Sequence, residues 1–414
     1  MKNIMEIKFK YLLITFLILV NTIAGFSQNT KPDGWYQFRG PNRDGISTES
    51  LSDINWSETK PELVWKKELG SGFAELTISD GIIYTMTSEI VDSITGFEYV
   101  AAFDENTGNE LWRSQVDSIY FDVDGWGNGS RSTPIIDENQ IYSFSGHGKL
   151  SANSLKDGTL NWQIDFVEEF GTTTPRWGFA SSPTIVDDVL IMEVGGTDSR
   201  AFMGFNKKDG SINWSSENGN ASHDSPLAAT IDGKEQIIFA NGRKLFSFTS
   251  TGDTLWTYNM PFGSLTAIPI LIDKNKIFLS GVRTPGFIII EINGNTATEV
   301  LNGNSMKNDF SSCVYRNGYI YGYHVAALRC VSVETGEVSW TKRGFGKGSL
   351  IMVDDKLLVL SDKGKLAVVK ATPDAYTELI SFQAIEGKSW TAPSFNNGKV
   401  FVRNLTEMAC YNLK

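Results

Sequence analysis

Residues 102–112 read Ala-Phe-Asp-Glu-Asn-Thr-Gly-Asn-Glu-Leu-Trp, and residues 152–162 read Ala-Asn-Ser-Leu-Lys-Asp-Gly-Thr-Leu-Asn-Trp. The shared phrase is a small or apolar pair, a polar residue, a turn carrying Gly, and then Trp. It returns at 204–214, 247–256 and 331–340, ending in Trp214, Trp256 and Trp340. Two weaker copies at 290–301 and 368–380 put Val300-Leu301 and Leu379-Ile380 where the indole stands elsewhere. The ends lie 50, 52 and 42 residues apart through Trp112, Trp162, Trp214 and Trp256, then about 45, 39 and 39 through Leu301, Trp340 and Leu379. A self-similar period of about 40–50 residues is the length of one four-stranded propeller blade.

One period reads strand by strand. Ser132–Asp137 predicts strand A, Gln140–Ser145 strand B, Lys149–Leu155 strand C and Thr159–Ile164 strand D. Each run is short, rich in β-branched and aromatic residues, and bounded by Gly, Asp or Asn. Lys156-Asp157-Gly158 supplies a tight C–D turn, because Asp and Gly tolerate positive φ. No stretch keeps a helical period. The segment 408–413 reads as a strand C with no strand D after it, and 61–66 as a strand D with nothing before it. Placed side by side they complete an eighth blade and leave only short sheet edges. The expected fold is therefore all-β: an eight-bladed β-propeller of four-stranded antiparallel blades, closed by an N-terminal outer strand. The large flat indoles of Trp65, Trp112, Trp162, Trp214, Trp256 and Trp340 then fill the wedges between blades.

Residues 1–27 have the layout of a secretory signal peptide: basic Lys2, Lys8 and Lys10, an apolar run from Leu12 to Val20, and small residues before Gln28. The run is shorter than the ~20 apolar residues that a spanning helix needs. Export to the periplasm or the cell exterior is expected, with residues 28–60 as an N-terminal extension and 61–414 as the propeller. No Cys lies near the cleavage point, so a lipid anchor there is not expected. The net charge is −11, and removal of residues 1–27 would take it to about −13. Nucleic acid is not an expected partner, since phosphate binding needs clustered cations. Cys313, Cys330 and Cys410 have no metal-site spacing and an odd count, and they read as buried free thiols.

The phrase Ala-x-(Asp/Asn)-x-x-(Thr/Asp)-Gly-x-x-x-Trp resembles the tryptophan-docking repeat of PQQ-binding-like propellers. That superfamily includes quinoprotein alcohol dehydrogenases and BamB-type outer-membrane assembly lipoproteins. The opening at 35–45, Trp-Tyr-Gln-Phe-Arg-Gly-Pro-Asn-Arg-Asp-Gly, is similar to an N-terminal motif of bacterial PQQ-like repeat proteins. The resemblance covers about residues 35–413. It implies the fold, whereas fold alone does not fix function. Quinoprotein alcohol dehydrogenases carry two adjacent cysteines over the cofactor and long inserted loops; this chain has no Cys-Cys pair. The lipidated Cys of BamB-type proteins is also missing after the leader.

In such a ring the D–A and B–C loops emerge on one face and the A–B and C–D hairpins on the other. The first set is longer here, and long loops on a rigid scaffold are where binding concentrates. Candidate ligand-binding residues on that face are Arg131, His147, Arg176, Trp177, His223, Arg243, Arg283, His324, Lys347, Lys388 and Trp390. Cations and indoles around a mouth would attract anionic or flat ligands. Acidic residues also populate these loops, so the mouth is either cationic or locally paired. No metal site is expected: in Asp122-Val123-Asp124-Gly125-Trp126, the indole stands where a calcium loop needs an oxygen donor.

These features predict a monomeric binding or scaffold module that presents its loop-rich face to a protein, peptide or acidic glycan, without catalysis or cofactor. The alternatives are a dehydrogenase holding PQQ with calcium over the channel, or a lyase or hydrolase acting on acidic carbohydrate.

Overall fold

Two-residue turns and Gly-bearing corners cut the chain into short strands, and these assemble into eight antiparallel sheets. The computed structural model describes residues 34–414, apart from 52, 53, 57, 59 and 264. The expected signal peptide lies outside the described residues. Among the described residues, no helix is long and apolar enough to cross a membrane.

Blade 1 runs through Thr77–Ser79, Ile82–Ile90, Gly96–Asp104 and Glu110–Ser118. Blade 2 runs through Ile135–Asp137, Gln140–Phe144, Lys149–Ser154 and Leu160–Asp165, close to the predicted strands. Blades 3 to 7 begin at Thr184, Leu227, Ile270, Val314 and Ser349. Blade 8 takes Ser394–Asn396, Lys399–Arg403 and Glu407–Asn412 from the C-terminal end and Glu62–Glu68 as its outer strand. Leu63 pairs with Tyr411 and Trp65 with Cys410, which closes the ring. All three cysteines are free and buried.

Five of the six indoles bond to the next blade. Trp65 Nε1 donates to the Glu105 carbonyl at 2.8 Å, Trp112 to Leu155 at 3.1 Å, Trp162 to Lys207 at 3.2 Å, Trp214 to Ser250 at 2.9 Å and Trp340 to Thr372 at 2.8 Å. In four of these turns the ring lies against a glycine; the turn that receives Trp340 has none. A Cβ on Gly108, Gly158, Gly210 or Gly252 would come within 2.5–2.9 Å of the indole. Trp256 instead donates within its own blade, to Gln236 Oε1 at 2.8 Å. The blade 5 C–D connection is only Gly294-Asn295, so it offers no docking turn. At the next junction the Phe287 ring lies against Gly336 beside Leu301. In blade 7 it is Ile380, not Leu379, that takes the docking register, opposite Val368. It faces blade 8, whose C and D strands have no connecting turn.

One short helix, Phe166–Phe170, departs from the all-strand expectation. Asp165 caps it by accepting the amides of Val167 and Glu168, and Phe166 is buried.

The segment 34–51, read from sequence as part of an extension, lies inside the ring. Ile46–Ser47 adds a parallel strand to Ser349–Val353, the innermost strand of blade 7. The carbonyls of Trp35, Tyr36 and Gly45 accept the amides of Ile78, Ile136 and Met352. Arg39 Nη2 donates to the Cys313 carbonyl at 2.6 Å. Arg43 is fully buried and donates to the carbonyls of Pro226 and Pro183 at 2.9 Å and of Ser182 at 3.3 Å. Glu49 accepts the amides of Asn397 and Gly398. One loop thus touches blades 1, 2, 3, 4, 6, 7 and 8 and fills the axis. The Gly-bearing motif follows from this path. Gly40 and Gly45 both sit at φ +78, and side chains there would strike the Trp35 ring and the Arg39 guanidinium.

Candidate functional site

The two faces of the ring differ in kind. The A–B hairpins are two or three residues long, while the D–A loops run from six residues (343–348) to eighteen (166–183). Buried carboxylates fasten those loops. Glu98 accepts the amides of Tyr120 and Gly146, at 3.1 and 3.0 Å, and so ties the loop between blades 1 and 2 to a blade 2 turn. Glu193 accepts from the Ser222 amide at 3.0 Å and Asn241 Nδ2 at 2.8 Å. Glu75 accepts the Arg39 amide at 2.8 Å. Burial pushes all three carboxyls up to about 7. Arg403, also fully buried, donates to the carbonyls of Gly70, Ala74 and Met86, and burial lowers it to about 9. Such networks leave the face preorganised rather than floppy.

Loops from blades that are not neighbours meet over the axis. Trp390, between blades 7 and 8, stacks with Phe73 at 6.0 Å, lies 5.6 Å from Trp126 of the blade 1–2 loop, and lies 4.7 Å from Phe310 of the blade 5–6 loop. Only a site over the centre of the ring can gather side chains from such separated blades. Trp126 is 46% and Phe310 37% exposed, so the cluster presents an aromatic platform to solvent. Lys388 Nζ lies 4.6 Å from the Trp390 centroid and 2.7 Å from the Trp126 carbonyl. Lys347 pairs with Asp309 at 2.6 Å and lies over the Phe310 ring.

The other candidates fall into three groups. Arg131 is sandwiched between Phe73 and Tyr120 and pairs with Asp122 at 2.9 Å, so it holds its own loop. Asp122 also accepts the amides of Asp124 and Trp126, which folds the would-be calcium loop on itself. Arg176 grips Asp124 through two bonds of 3.0 and 2.7 Å, and Trp177 Nε1 donates to the same carboxylate at 2.6 Å. Those partners draw Asp124 down to about 2. Trp177, 39% exposed, lies 5.4 Å from His223. Burial and Arg131 hold His223 down to about 4, so it is neutral at physiological pH, with a buried Nε2 that has no partner. His147 Nε2 donates to the Ile119 carbonyl at 3.1 Å and serves its loop.

The third group lies off the axis, on blades 4 to 6. Arg243 and Arg283 line a cavity of about 360 Å³ with Phe262, Gly263, Gly281 and Val282. His324 stands on the last position of a blade 6 strand, and burial, Arg329 and Lys307 all lower its pKa. Sequence reasoning named Arg243, Arg283 and His324. It missed the exposed platform residues Trp126 and Phe310 as a unit, because their partners come from four separate loops.

A quinone bound over the channel with calcium would need free cationic donors and converging oxygen ligands at the axis. The axis is filled by residues 35–47, whose Arg39 and Arg43 donate to carbonyls. Among the described residues, no group of three or more His, Cys, Asp or Glu could hold a metal ion.

Eight four-stranded blades, four of their junctions sealed by an indole against a glycine, define a propeller of the PQQ-like repeat class. A family model described as outer membrane protein assembly factor BamB matches residues 96–342, and the chain belongs to that family. It is 22% identical over 393 residues to the outer membrane protein assembly factor BamB of Moranella endobia (strain PCIT), covering 89% of this chain and 94% of that one. Among solved structures it is similar to BamB from Moraxella catarrhalis, with TM-score 0.61, 13% identity, and 86% and 98% of the two chains covered. It is also similar to quinohemoprotein alcohol dehydrogenase from Comamonas testosteroni, with TM-score 0.64, 13% identity, and 93% and 81% covered. At these identities the two structural likenesses speak to the fold.

Proposed function

We propose that this chain is an exported scaffold that presents its loop-rich face to a protein partner and works without a resident cofactor. The observation that carries the reading is the platform of Trp126, Phe310 and Trp390, gathered from separate loops and held over a plugged axis. Rigid, partly exposed aromatics with cations at their edges are the usual anchors of a protein interface. The family description, an assembly factor of the outer membrane, agrees in kind and in compartment. Chemistry is poorly served by the same face. Glu75, Glu98 and Glu193 are buried in loop-fastening bonds, Asp122, Asp124 and Asp309 are paired with Arg or Lys, and among the described residues no His or acid lines the Arg243–Arg283 cavity.

The test is co-purification from a cell-envelope extract with the wild-type chain and with a Trp126→Ala/Trp177→Ala variant. The expected result is loss of the captured protein from the double variant and its retention by Lys156→Ala, on the opposite face. Equal capture by all three would contradict the reading.

A further inference from the structure

On this acidic protein, most candidate cations of the loop-rich face are compensated. Arg131, Arg176 and Lys347 have carboxylate partners, and Lys388 rests on the Trp126 carbonyl. Blades 4 to 6 break that pattern. Arg283 is exposed and has no hydrogen-bond or ionic partner among the described residues. Arg243 uses one nitrogen on the Pro261 carbonyl, at 2.6 Å, and has no carboxylate. Lys307 reaches only Thr284 Oγ1, at 3.4 Å, beside Arg283. Arg329 donates to the Ser305 carbonyl while its buried Nε has no partner. Burial and then Arg343 lower the pKa of Arg329, and burial, Arg329 and Lys307 lower that of His324. Arg329 and Arg343 are therefore near enough to repel one another, Lys307 and Arg329 share His324 as a neighbour, and among the described residues none of these cations has a carboxylate partner.

We infer that the Arg243–Arg283 cleft and the cationic strip beside it form a receptor for the side-chain carboxylates of an acidic, partly apolar peptide segment. The inference rests on the reading that this face binds protein. Two guanidiniums at the lips of a cavity of about 360 Å³ can each fork onto a carboxylate. Val282, 51% exposed, and Phe262 supply the apolar lining. Gly263 and Gly281 keep the walls clear of side chains, so an extended backbone can lie close. Lys307, Arg329 and Arg343 continue the same charge toward blade 6, which suits a run of acids rather than one ion. An acidic glycan would share the charge but would want an exposed ring to stack on. The Phe262 ring is buried.

The probe is a fluorescein-labelled octapeptide that alternates Glu with Val, and its Gln counterpart, titrated by anisotropy against the full chain. The Glu peptide is expected to bind at least about tenfold tighter than the Gln peptide and to weaken with added salt. Arg283→Gln is expected to cost about tenfold with an unchanged melting temperature, because that side chain holds nothing in the fold. Arg243→Gln is the second variant, with its melting temperature measured alongside because of the Pro261 bond. Equal binding of the two peptides, or full binding by Arg283→Gln, would overturn the inference. So would displacement of the Glu peptide by tetragalacturonate or by free acetate at lower concentration than by unlabelled Glu peptide. A photo-crosslinker at Trp126 separates the two levels. If a protein still crosslinks there while the peptides fail, the cleft assignment falls and the scaffold reading stands.

Discussion

Trp65 lies opposite Cys410 in one antiparallel ladder, and its indole Nε1 donates across the next seam to the Glu105 carbonyl of blade 1. One side chain therefore belongs to the closing sheet and to the first junction of the ring. Trp65→Ala removes a buried ring and is expected to cost about 3–5 kcal/mol in denaturant unfolding. Trp65→Phe keeps most of the ring and loses the hydrogen bond, for about 1 kcal/mol beyond the packing change. A Trp65→Ala variant as stable as the wild type would show that the ring does not close there.

The axial segment makes a second prediction. Arg43, buried, satisfies the carbonyls of Ser182, Pro183 and Pro226. Arg43→Ala leaves them unpaired and is expected to destabilise by more than about 3 kcal/mol. Arg43→Lys keeps one charge but cannot reach three acceptors, and should fall between. Thermal unfolding of the three proteins orders them.

The docking seam can be separated from turn strain. Gly158 and Gly294 both sit in C–D turns at positive φ. A Cβ on Gly158 would stand 2.5 Å from the Trp112 ring, while nothing lies within 4 Å of one on Gly294. Gly158→Ala is therefore expected to cost about 1–3 kcal/mol more than Gly294→Ala. Equal losses would mean the indole does not press on the turn.

Those seams are also what the sequence made legible. The Thr-Gly or Asp-Gly turn and the Trp four residues on are local, so each blade announced itself, and the two-residue A–B turns fixed strand ends closely. The exceptions obey the same logic: the bare Gly294-Asn295 turn explains why Trp256 bonds within its own blade. The axial plug was not legible. Trp35, Arg39 and Arg43 have no period, and their partners lie far away in the chain: the Glu75 carboxylate for Trp35, and the backbone carbonyls of Cys313 for Arg39 and of Ser182, Pro183 and Pro226 for Arg43. Nor could sequence say which loop cations are compensated. Arg131 and Arg283 look alike as letters, yet one is sandwiched between two rings beside Asp122 and the other has nothing.

The buried carboxylates set the pH dependence. Glu75, Glu98 and Glu193 are raised to about 7 in the folded protein. Between the unfolded carboxyl value and about 7 the native state holds more protons, so stability rises as pH falls through that window. His223, lowered to about 4, and His324, also lowered by burial, act in the opposite direction below their unfolded value, while Asp224 and Asp44, raised by burial, side with the three glutamates. The melting temperature is expected to climb from about pH 8 to about pH 5.5 and to fall again in stronger acid. A steady decline from pH 8 downward would mean that these groups are ionised in their loops.

The most direct test of the loop face as the contact surface is site-specific photo-crosslinking in producing cells. A photoreactive residue at Val123, Trp126 or Trp177 is expected to capture a discrete protein. The same residue at Asn139, Lys156 or Asp253, on the hairpin face, is expected to capture none. Discrete capture from the hairpin positions with none from the loop positions would contradict the account.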